Sequence, residues 1–350
     1  MELFLSSQLR KQQLEQWLQQ LFIDQPVNLV PLTGDAGFRI YYRLQLPEGS
    51  FIVVDSPVDK INNLAFVSLA HGFARQNIVV PEIIHYDQHN GFICITDFGD
   101  TLLSSKLNSE SMSDLYQQAI ALLPKIQKVQ PDQGWTLPEY DQPFLQMEMD
   151  IFVEWLLARH LNIQLSSKQQ QQLQQCFTYL ISSAIEQPQV SVHRDFHSRN
   201  ILLSNNGENE GELAVIDFQD AVTGPFTYDL VSLLRDCYVR WDDDLIAPLL
   251  NFYLDKIQQQ SSITINREQF QRWFDLMGLQ RHIKASGIFA RLYHRDGKPG
   301  YLKDIPLTLS YIVDIAAKYP ELMFLSDLVK NQVLPDLAKL VERQQTGALQ

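Results

Sequence analysis

The first third of the chain alternates between short apolar runs and turn-forming residues, a pattern typical of β-strands. One longer segment, Ile61–Gln76, instead carries apolar residues at helical spacing, and Gln88–Gly91 reads as a hairpin turn. The resulting order of three strands, a helix and two strands indicates a mixed antiparallel sheet rather than alternating βαβ units. The predicted strands are Val27–Thr33, Phe38–Leu46, Phe51–Asp55, Glu82–Asp87 and Phe92–Thr96.

Beyond residue 98 the pattern changes to long amphipathic segments with helical periodicity. A single β-like block, from Val190–Val192 to Ala214–Ile216, interrupts them. We therefore predict an α+β protein with a small β-rich lobe at residues 1–98 and a larger, mainly helical lobe at 99–350. The predicted helices are Asp114–Gln130, Phe144–His160, Lys168–Gln187, Leu245–Gln259, Arg267–Phe289 and Leu307–Tyr319.

Composition narrows the class of protein. Of the 350 residues, 45% are hydrophobic, which excludes global disorder. The chain has 41 acidic and 28 basic residues, and its net charge of −13 disfavours binding to nucleic acid, whose backbone is also negatively charged. The three cysteines are far apart in sequence, as expected of free thiols in a reducing compartment. We see neither a signal peptide nor a membrane-spanning stretch, and we expect a monomeric protein of the cytoplasm.

The most informative segment is His193–Asn200, which reads His-Arg-Asp-Phe-His-Ser-Arg-Asn. Apolar runs flank it, and Asp217 ends the next predicted strand, 17 residues after Asn200. We expect Asp195, Asn200 and Asp217 to converge at the end of a hairpin. Phosphoryl transfer from a nucleotide requires such a set: a carboxylate that orients the attacking hydroxyl, and oxygen ligands for Mg²⁺.

These motifs resemble those of the aminoglycoside phosphotransferase and choline kinase branch of the protein-kinase-like fold. The resemblance implies a bilobal fold that binds ATP and Mg²⁺. It also implies Asp195 as the catalytic base, Asn200 and Asp217 as Mg²⁺ ligands, and Thr96, Asp97 and Phe98 as the interlobe linker whose backbone binds adenine. The segment Gly224–Leu230 resembles a family stretch in which the aspartate, here Asp229, braces the catalytic loop.

A narrower resemblance is to the anomeric sugar kinases of cell-wall recycling. Five segments carry it: Gly34–Arg43, His193–Asn200, Ile216–Ala221, Thr227–Asp236 and Arg291–Lys298. It implies phosphorylation of the C1 hydroxyl of an amino sugar, N-acetylmuramate or N-acetylglucosamine, with ATP and Mg²⁺. Which of the two sugars is preferred stays open at this point.

The nucleotide-binding lobe departs from the kinase pattern in one respect. The third predicted strand, Phe51–Asp55, lacks the lysine that pairs with the nucleotide phosphates, and the nearest lysine is Lys60. Arg39 and Arg43 are the candidate replacements, because residues four apart in a strand share a face. We also assign phosphate contacts to the backbone of the glycine-containing turn at Gly34, Asp35, Gly37 and Phe38.

Candidate contacts to the sugar are His197 and Arg199 in the catalytic loop, Gln219 after the metal-binding aspartate, and Arg291 and Arg295 near the C-terminus. For these arginines an ordinary surface role is the alternative. Two other functions stay open. One is a kinase for an aminoglycoside or a choline- or homoserine-type alcohol. The other is a non-catalytic nucleotide-binding module, which the missing third-strand lysine favours and the intact Asp195, Asn200 and Asp217 set disfavours.

Overall fold

The structure is a computed structural model that describes residues 2–32, 38–132, 134–205, 211–260 and 265–347. The chain forms two compact units, each assembled from separate stretches of sequence. A sheet-rich first unit and a helix-rich second unit confirm the predicted α+β class. The first unit holds Met1–Ser111, Lys128–Leu137 and Ser198–Asp220; the second holds Met112–Gln127, Pro138–His197 and Ala221–Gln350.

The first unit contains an antiparallel five-stranded sheet with the order β1-β2-β3-β5-β4. Its strands are β1 Leu29–Pro31, β2 Ile40–Leu46, β3 Gly49–Asp55, β4 Ile83–Asp87 and β5 Phe92–Thr96. The predicted strands and their order are confirmed, with small shifts at the ends. The predicted hairpin turn is also confirmed: the Gly91 N–H donates to the Asp87 carbonyl over 2.8 Å. Gly91 has φ +73°, and a Cβ there would lie 2.0 Å from the Ser56 carbonyl oxygen, so the turn requires glycine.

A helix that we did not predict precedes the sheet. Helix α1, Glu2–Leu21, places Leu14 and Leu18 in a core with Leu44 and Val53, and all four are fully buried. Each such leucine contributes roughly 1.5–3 kcal/mol by leaving water. This core takes up one face of β2, so the alternating residues of that strand point to the opposite face of the sheet.

Helix α2, Asn63–Arg75, begins at Asn62, whose side chain accepts from the Leu64 N–H over 3.0 Å. A hairpin from much later in the chain belongs to the same unit: β7 Ile201–Leu203 pairs with β8 Leu213–Val215. It joins the unit through a parallel bridge from Val79 to Ala214 and an antiparallel bridge from Leu102 to Leu202. The short 3₁₀ helix Leu103–Ser105 follows Leu102.

The second unit is mainly helical. Strands β6 Gln189–Val192 and β9 Val222–Pro225 pair within it. A π-helical segment, Phe152–His160, continues helix α4, Gln142–Ile151. The helix predicted over Phe144–His160 therefore exists, but its second half is wound more widely. Helices α3–α11 are Met112–Ile126, Gln142–Ile151, Ser167–Ile185, Tyr228–Leu234, Asp243–Gln260, Arg267–Asp296, Ile305–Ala316, Met323–Leu328 and Leu334–Gly347. Short 3₁₀ helices, Pro299–Asp304 and Pro320–Leu322, directly precede α9 and α10, and the π-helical stretch Val329–Val333 continues α10 into α11.

Helix α8 packs closely on the junction between α4 and the π-helical segment. A Cβ at Gly287 would lie 2.5 Å from the Phe152 nitrogen, so only glycine permits this approach of the two backbones. The predicted helices are confirmed as helical, whereas α6, α10 and α11 were not predicted. In the described parts of the chain, no helix combines the length and apolar character that crossing a membrane requires.

Candidate active site

The β7–β8 hairpin brings Asn200 and Asp217 together in the first unit. Ile201 pairs with Val215, and the Ile216 N–H extends the ladder by donating to the Asn200 carbonyl over 3.1 Å. Asn200 and Asp217 therefore flank the open end of the hairpin, and the Asn200 Nδ2 lies 3.3 Å from the Asp217 Oδ2. The Asp217 side chain belongs to an exposed residue, so a ligand can reach it.

The backbone at Asp217 is held in an uncommon conformation. Its φ of +66° lies in the left-handed region, which aspartate and asparagine tolerate better than most residues. The next residue, Phe218, is fully buried. Its ring stacks on Phe66 at 5.2 Å and packs at a tilt against Phe73 at 5.1 Å between ring centroids. Helix α2 thus anchors the turn that presents Asp217. Gln219 supports the same carboxylate, since its Nε2 donates to the Asp217 Oδ1 over 2.6 Å.

Arg39 lies near this carboxylate. Its Nε donates to the Ser56 hydroxyl over 3.2 Å, and its guanidinium lies 5.6 Å from the centre of the Phe66 ring. The charges of Arg39 and Asp217 both act on the phenol of Tyr41. Burial raises the pKa of this phenol, the charge of Arg39 lowers it, and the charge of Asp217 raises it. A cation and the exposed carboxylate are therefore within electrostatic reach of the same phenol.

Arg43, the second candidate phosphate cation, is already engaged by two carboxylates. Its Nε lies 2.7 Å from the Asp97 Oδ2, and its two terminal nitrogens each lie 2.8 Å from an oxygen of Asp100. The hydrogen bonds that the guanidinium donates to Asp100, and then those that it donates to Asp97, raise its pKa. Binding a phosphate would require breaking these ion pairs, so the geometry favours Arg39. Lys60 is exposed and pairs with Asp59 at 3.4 Å.

Each of the three residues of the predicted linker, Thr96–Phe98, contacts other residues of the first unit. Thr96 ends β5 and donates its N–H to the Glu82 carbonyl over 3.1 Å. Asp97 also accepts from the Ser50 hydroxyl over 2.5 Å and from the Gly99 N–H over 2.9 Å. Phe98 is buried against Leu202 and Ala214 of the hairpin. The segment thus connects the sheet to the hairpin that carries Asn200.

Of the turn residues to which we assigned phosphate contacts, the structure describes Phe38 alone. Gly34, Asp35 and Gly37 lie outside the described residues. Phe38, which follows them, is 63% exposed. Their proposed phosphate contacts stay predictions.

The catalytic loop begins in the second unit, where Asp229 braces its backbone. One Asp229 oxygen accepts from the His193 N–H over 2.8 Å and the other from the Arg194 N–H over 3.0 Å. Arg194 has φ +75°, so this bracing holds an unusual backbone turn immediately before Asp195. The Asp195 N–H lies 3.2 Å from the Nδ1 of His193, which is fully buried. His193 is therefore a support of the loop.

Asp195 is a half-buried carboxylate surrounded by cations of its own unit. Burial alone would raise the pKa of its carboxyl, but Lys284, His197, Arg194 and Arg281 lower the pKa to about 2. Asp195 is therefore ionised at any physiological pH. A carboxylate of this kind accepts hydrogen bonds and orients a hydroxyl, which is the task of the aspartate in phosphoryl transfer.

A buried network of charges supports these cations. Glu148 of α4 pairs with Arg194 at 2.5 Å and with the Lys284 Nζ at 3.0 Å. Lys284 also donates to the Tyr228 hydroxyl over 3.1 Å, and Tyr140 hydrogen bonds to Glu148. Because Glu148 is 2% exposed, its charge is stable only while these partners remain.

The remaining sequence candidates occupy different surroundings. His197 is half-buried and meets the Tyr238 ring edge-on at 5.7 Å between centroids. Arg199 is half-buried in the segment just before Asn200. Arg291 is half-buried on α8, whereas Arg295 is exposed and pairs with its neighbour Asp296 at 2.8 Å. Arg295 thus has the surface ion pair that we considered as its alternative role.

Comparison with known proteins decides the family. A model of the phosphotransferase enzyme family matches residues 28–262. The chain belongs to the phosphotransferase enzyme family. The N-acetylmuramate/N-acetylglucosamine kinase of Pseudomonas aeruginosa is 38% identical over 338 residues, which cover 93% of this chain and 98% of that protein. The kinase of the same name from Neisseria meningitidis is 36% identical over 89% of this chain and 93% of its own length.

Solved structures show that the phosphotransferase fold extends over most of the chain. A choline kinase from Streptococcus pneumoniae aligns with a TM-score of 0.61 at 13% identity, covering 88% of this chain and 99% of its own. An ADP-bound aminoglycoside phosphotransferase aligns with a TM-score of 0.57 at 15% identity, covering 85% and 97%. The protein-kinase-like fold expected from the sequence motifs is thereby confirmed.

The donor set of this phosphotransferase fits Mg²⁺. Among the described residues, no group of three or more histidine, cysteine, aspartate or glutamate side chains could hold a metal ion. Mg²⁺ does not require one, because it keeps several waters and is bound by one or two protein oxygens together with substrate phosphates. The neighbouring amide of Asn200 and carboxylate of Asp217 are such a pair.

Sequence reasoning missed Glu148 and Lys284. Both lie on buried helix faces, Glu148 beside Leu145 and Met149 and Lys284 beside Ile283. Charged residues are almost never buried unless they are paired. A charged residue at an apolar position of a predicted helix was therefore the available signal, although the sequence did not reveal its partners.

Proposed function

We propose that the chain transfers the γ-phosphoryl group of ATP to the C1 hydroxyl of N-acetylmuramate or N-acetylglucosamine, in the reuse of peptidoglycan sugars. The observation that carries this proposal is the similarity to N-acetylmuramate/N-acetylglucosamine kinases over nearly the whole chain. In the same proposal, residues 1–98 are the nucleotide-binding lobe, residues 99–350 are the catalytic lobe, and the protein acts as a cytoplasmic monomer.

Each site residue has a distinct task. Asp195 accepts a hydrogen bond from the C1 hydroxyl and orients it for attack, and its low pKa keeps it ready to accept. Asn200 and Asp217 would hold Mg²⁺, which would neutralise negative charge on the phosphates. Arg39 provides a further positive charge on the phosphates in place of the missing lysine. Because the transition state is loose, these charges and positions account for most of the acceleration.

The assignment of the phosphate cation is tested by replacing Arg39. We expect Arg39→Ala to raise KM for ATP by about 10-fold, since a charge-assisted hydrogen bond contributes about 1.5–3 kcal/mol. Lys60→Ala is the matched control: it also removes one positive charge from the first unit, but from an exposed surface pair. Steady-state kinetics with ATP as the varied substrate measures both. A larger effect from Lys60→Ala would refute the assignment.

The electrostatic support of Asp195 is tested by replacing Lys284. Because Lys284 lowers the pKa of Asp195, we expect Lys284→Met to raise that pKa and move the acidic limb of the kcat profile to higher pH. The depressed pKa also stabilises the folded protein above the ordinary aspartate range, and this contribution is lost as pH falls towards about 2. Removing Lys284 should therefore also reduce stability at neutral pH.

The control for Lys284→Met is Lys256→Met, because Lys256 packs over Phe252 on α7, whereas the charges that lower the pKa of Asp195 come from α8 and the catalytic loop. Because the pKa of Asp195 is about 2 in the wild type, its acidic limb lies below pH 4. Profiles of kcat between pH 4 and 9, with ATP and Mg²⁺ saturating, should therefore show an acidic limb for Lys284→Met but not for Lys256→Met or Lys284→Arg. An unmoved acidic limb in Lys284→Met would mean that Lys284 does not tune Asp195.

The activity itself is tested by a ³¹P NMR screen of acceptors with ATP and Mg²⁺. A sugar-1-phosphate resonance from either amino sugar is the expected result. Turnover of an aminoglycoside or of choline instead would assign the chain to another branch of the family. ATP binding without transfer to any acceptor would favour the non-catalytic module.

A further inference from the structure

One arginine of the second unit carries a charge for which the fold provides little compensation. Arg291 follows Lys284 by seven residues on α8, so the two side chains share a helix face. Gly287 lies between them on this face and contacts the junction of α4 and the π-helical segment. The Nε of Arg291 is buried, and among the residues that the structure describes it has no hydrogen-bond partner.

The carboxylates whose charges act on Arg291 are each paired with another cation. They are Asp296, Glu148 and Glu154. Asp296 binds Arg295 through two contacts of 2.8 and 2.9 Å.

Glu148 binds Arg194 and Lys284, and Glu154 binds Arg159 at 2.8 Å. Arg291 therefore adds a positive charge to a region whose carboxylates are already neutralised.

The surroundings of Arg291 disfavour the charged form of its guanidinium. Burial and the neighbouring charge of Arg295 lower the pKa of the Arg291 guanidinium, and the three carboxylates only partly oppose them. A bound anion would supply the missing compensation. In a chain with a net charge of −13, a local positive surplus of this kind is selective for a small anionic group rather than for a polyanion.

Arg291 also lies at a suitable distance from the reacting end of a sugar. Of the charges that lower the pKa of Asp195, that of Lys284 has the largest effect, which indicates that Lys284 lies near this carboxylate. Seven residues of α-helix separate Lys284 from Arg291 by about 10 Å along the axis. A hexose with an ether substituent spans a distance of this order when its C1 hydroxyl points at Asp195.

N-acetylmuramate differs from N-acetylglucosamine by one ether-linked lactyl group, which ends in a carboxylate. We propose that Arg291 binds this lactyl carboxylate and thereby sets the preference of the enzyme between the two sugars. The proposal rests on the function proposed above and adds the residue that discriminates. A guanidinium is suited to the task because its planar fork binds a carboxylate through two parallel hydrogen bonds.

The test compares kcat/KM for the two sugars in the wild-type protein and in Arg291→Gln. We expect kcat/KM for N-acetylmuramate to fall about 10- to 100-fold, the range for hydrogen bonds to a charged group. For N-acetylglucosamine, which has no lactyl carboxylate, we expect a change of less than about 3-fold. Arg291→Lys keeps the positive charge but loses the planar guanidinium, so the fall in kcat/KM for N-acetylmuramate should be smaller than in Arg291→Gln.

Arg159→Gln is the matched control, because it also removes an arginine from this region, but an exposed one already paired with Glu154. It should leave the ratio of the two kcat/KM values unchanged. An equal fall for both sugars in Arg291→Gln, or no fall, would overturn the role of Arg291 while leaving the kinase function intact. Wild-type protein that phosphorylates neither sugar would instead overturn the proposed function, so the two failures are distinguishable. If Arg291→Gln does not fold, Arg291→Lys allows the same comparison of the two sugars, with a smaller expected fall in kcat/KM for N-acetylmuramate.

Discussion

Asp195→Asn is expected to lower kcat by a factor on the order of 10² to 10⁴, which is the usual contribution of a positioned acid–base group. Asparagine keeps the shape of the side chain but presents an amide that is a much weaker acceptor for the sugar hydroxyl. Because Asp195 lies in the second unit among Lys284 and Arg281, its replacement should leave nucleotide binding nearly unchanged. Single-turnover kinetics with saturating ATP and sugar measures the chemical step directly.

Asp242→Asn is the control for this variant, since Asp242 is an exposed aspartate of the same unit. Its activity should match the wild type. Calorimetry with ATP and Mg²⁺ should give similar affinities for wild type and Asp195→Asn. Activity of Asp195→Asn within threefold of the wild type would remove Asp195 from the mechanism.

The parts of the fold that could be predicted are those encoded locally. Strand periodicity and turn residues are properties of neighbouring positions, which is why β2, β3 and β5 and the turn ending at Gly91 follow from the sequence. Helix α1 was missed although Leu14, Trp17 and Leu18 have helical spacing, because its many glutamines weakened the apolar pattern.

The parts of the site that could be predicted are likewise those within one short segment. Asn200 and Asp217 flank a single hairpin, so their pairing follows from local strand pattern. The partners of Arg43 could not be predicted, because Asp97 is 54 residues and Asp100 is 57 residues away. Arg39 and Arg43 looked equivalent on their strand face, and only these distant carboxylates distinguish them.

The charge network behind Asp195 shows the same limit. Arg194 and Glu148 are 46 residues apart, and Gln280 reaches Glu148 across 132 residues. Burying this many polar groups is tolerated only when each has partners. The sequence shows that charged residues interrupt apolar helix faces, but the packing of α4 against α8 determines which charges meet.

Asp217→Ala is expected to remove the dependence of nucleotide binding on Mg²⁺. The carboxylate is the charged member of the Asn200–Asp217 pair, and an amide alone is a weak ligand for a hard cation. Loss of several kcal/mol of charge stabilisation in the transition state corresponds to a fall in kcat on the order of 10³. Calorimetric titration with ATP, with and without Mg²⁺, separates binding of the metal complex from binding of the nucleotide.

Asp217→Asn distinguishes the loss of charge from backbone strain. The left-handed φ of +66° at this position disfavours alanine but is tolerated by asparagine. Asp217→Asn should therefore unfold at a temperature close to that of the wild type, yet lose Mg²⁺-dependent nucleotide binding as Asp217→Ala does. The control is Asp59→Ala, which removes an exposed carboxylate of the same unit and should keep both the unfolding temperature and the Mg²⁺-dependent binding. Unchanged affinity for the Mg²⁺–ATP complex in Asp217→Asn would contradict the assignment of Asp217 as a metal ligand. Loss confined to Asp217→Ala would instead show that this backbone turn, and not the charge, supports the site.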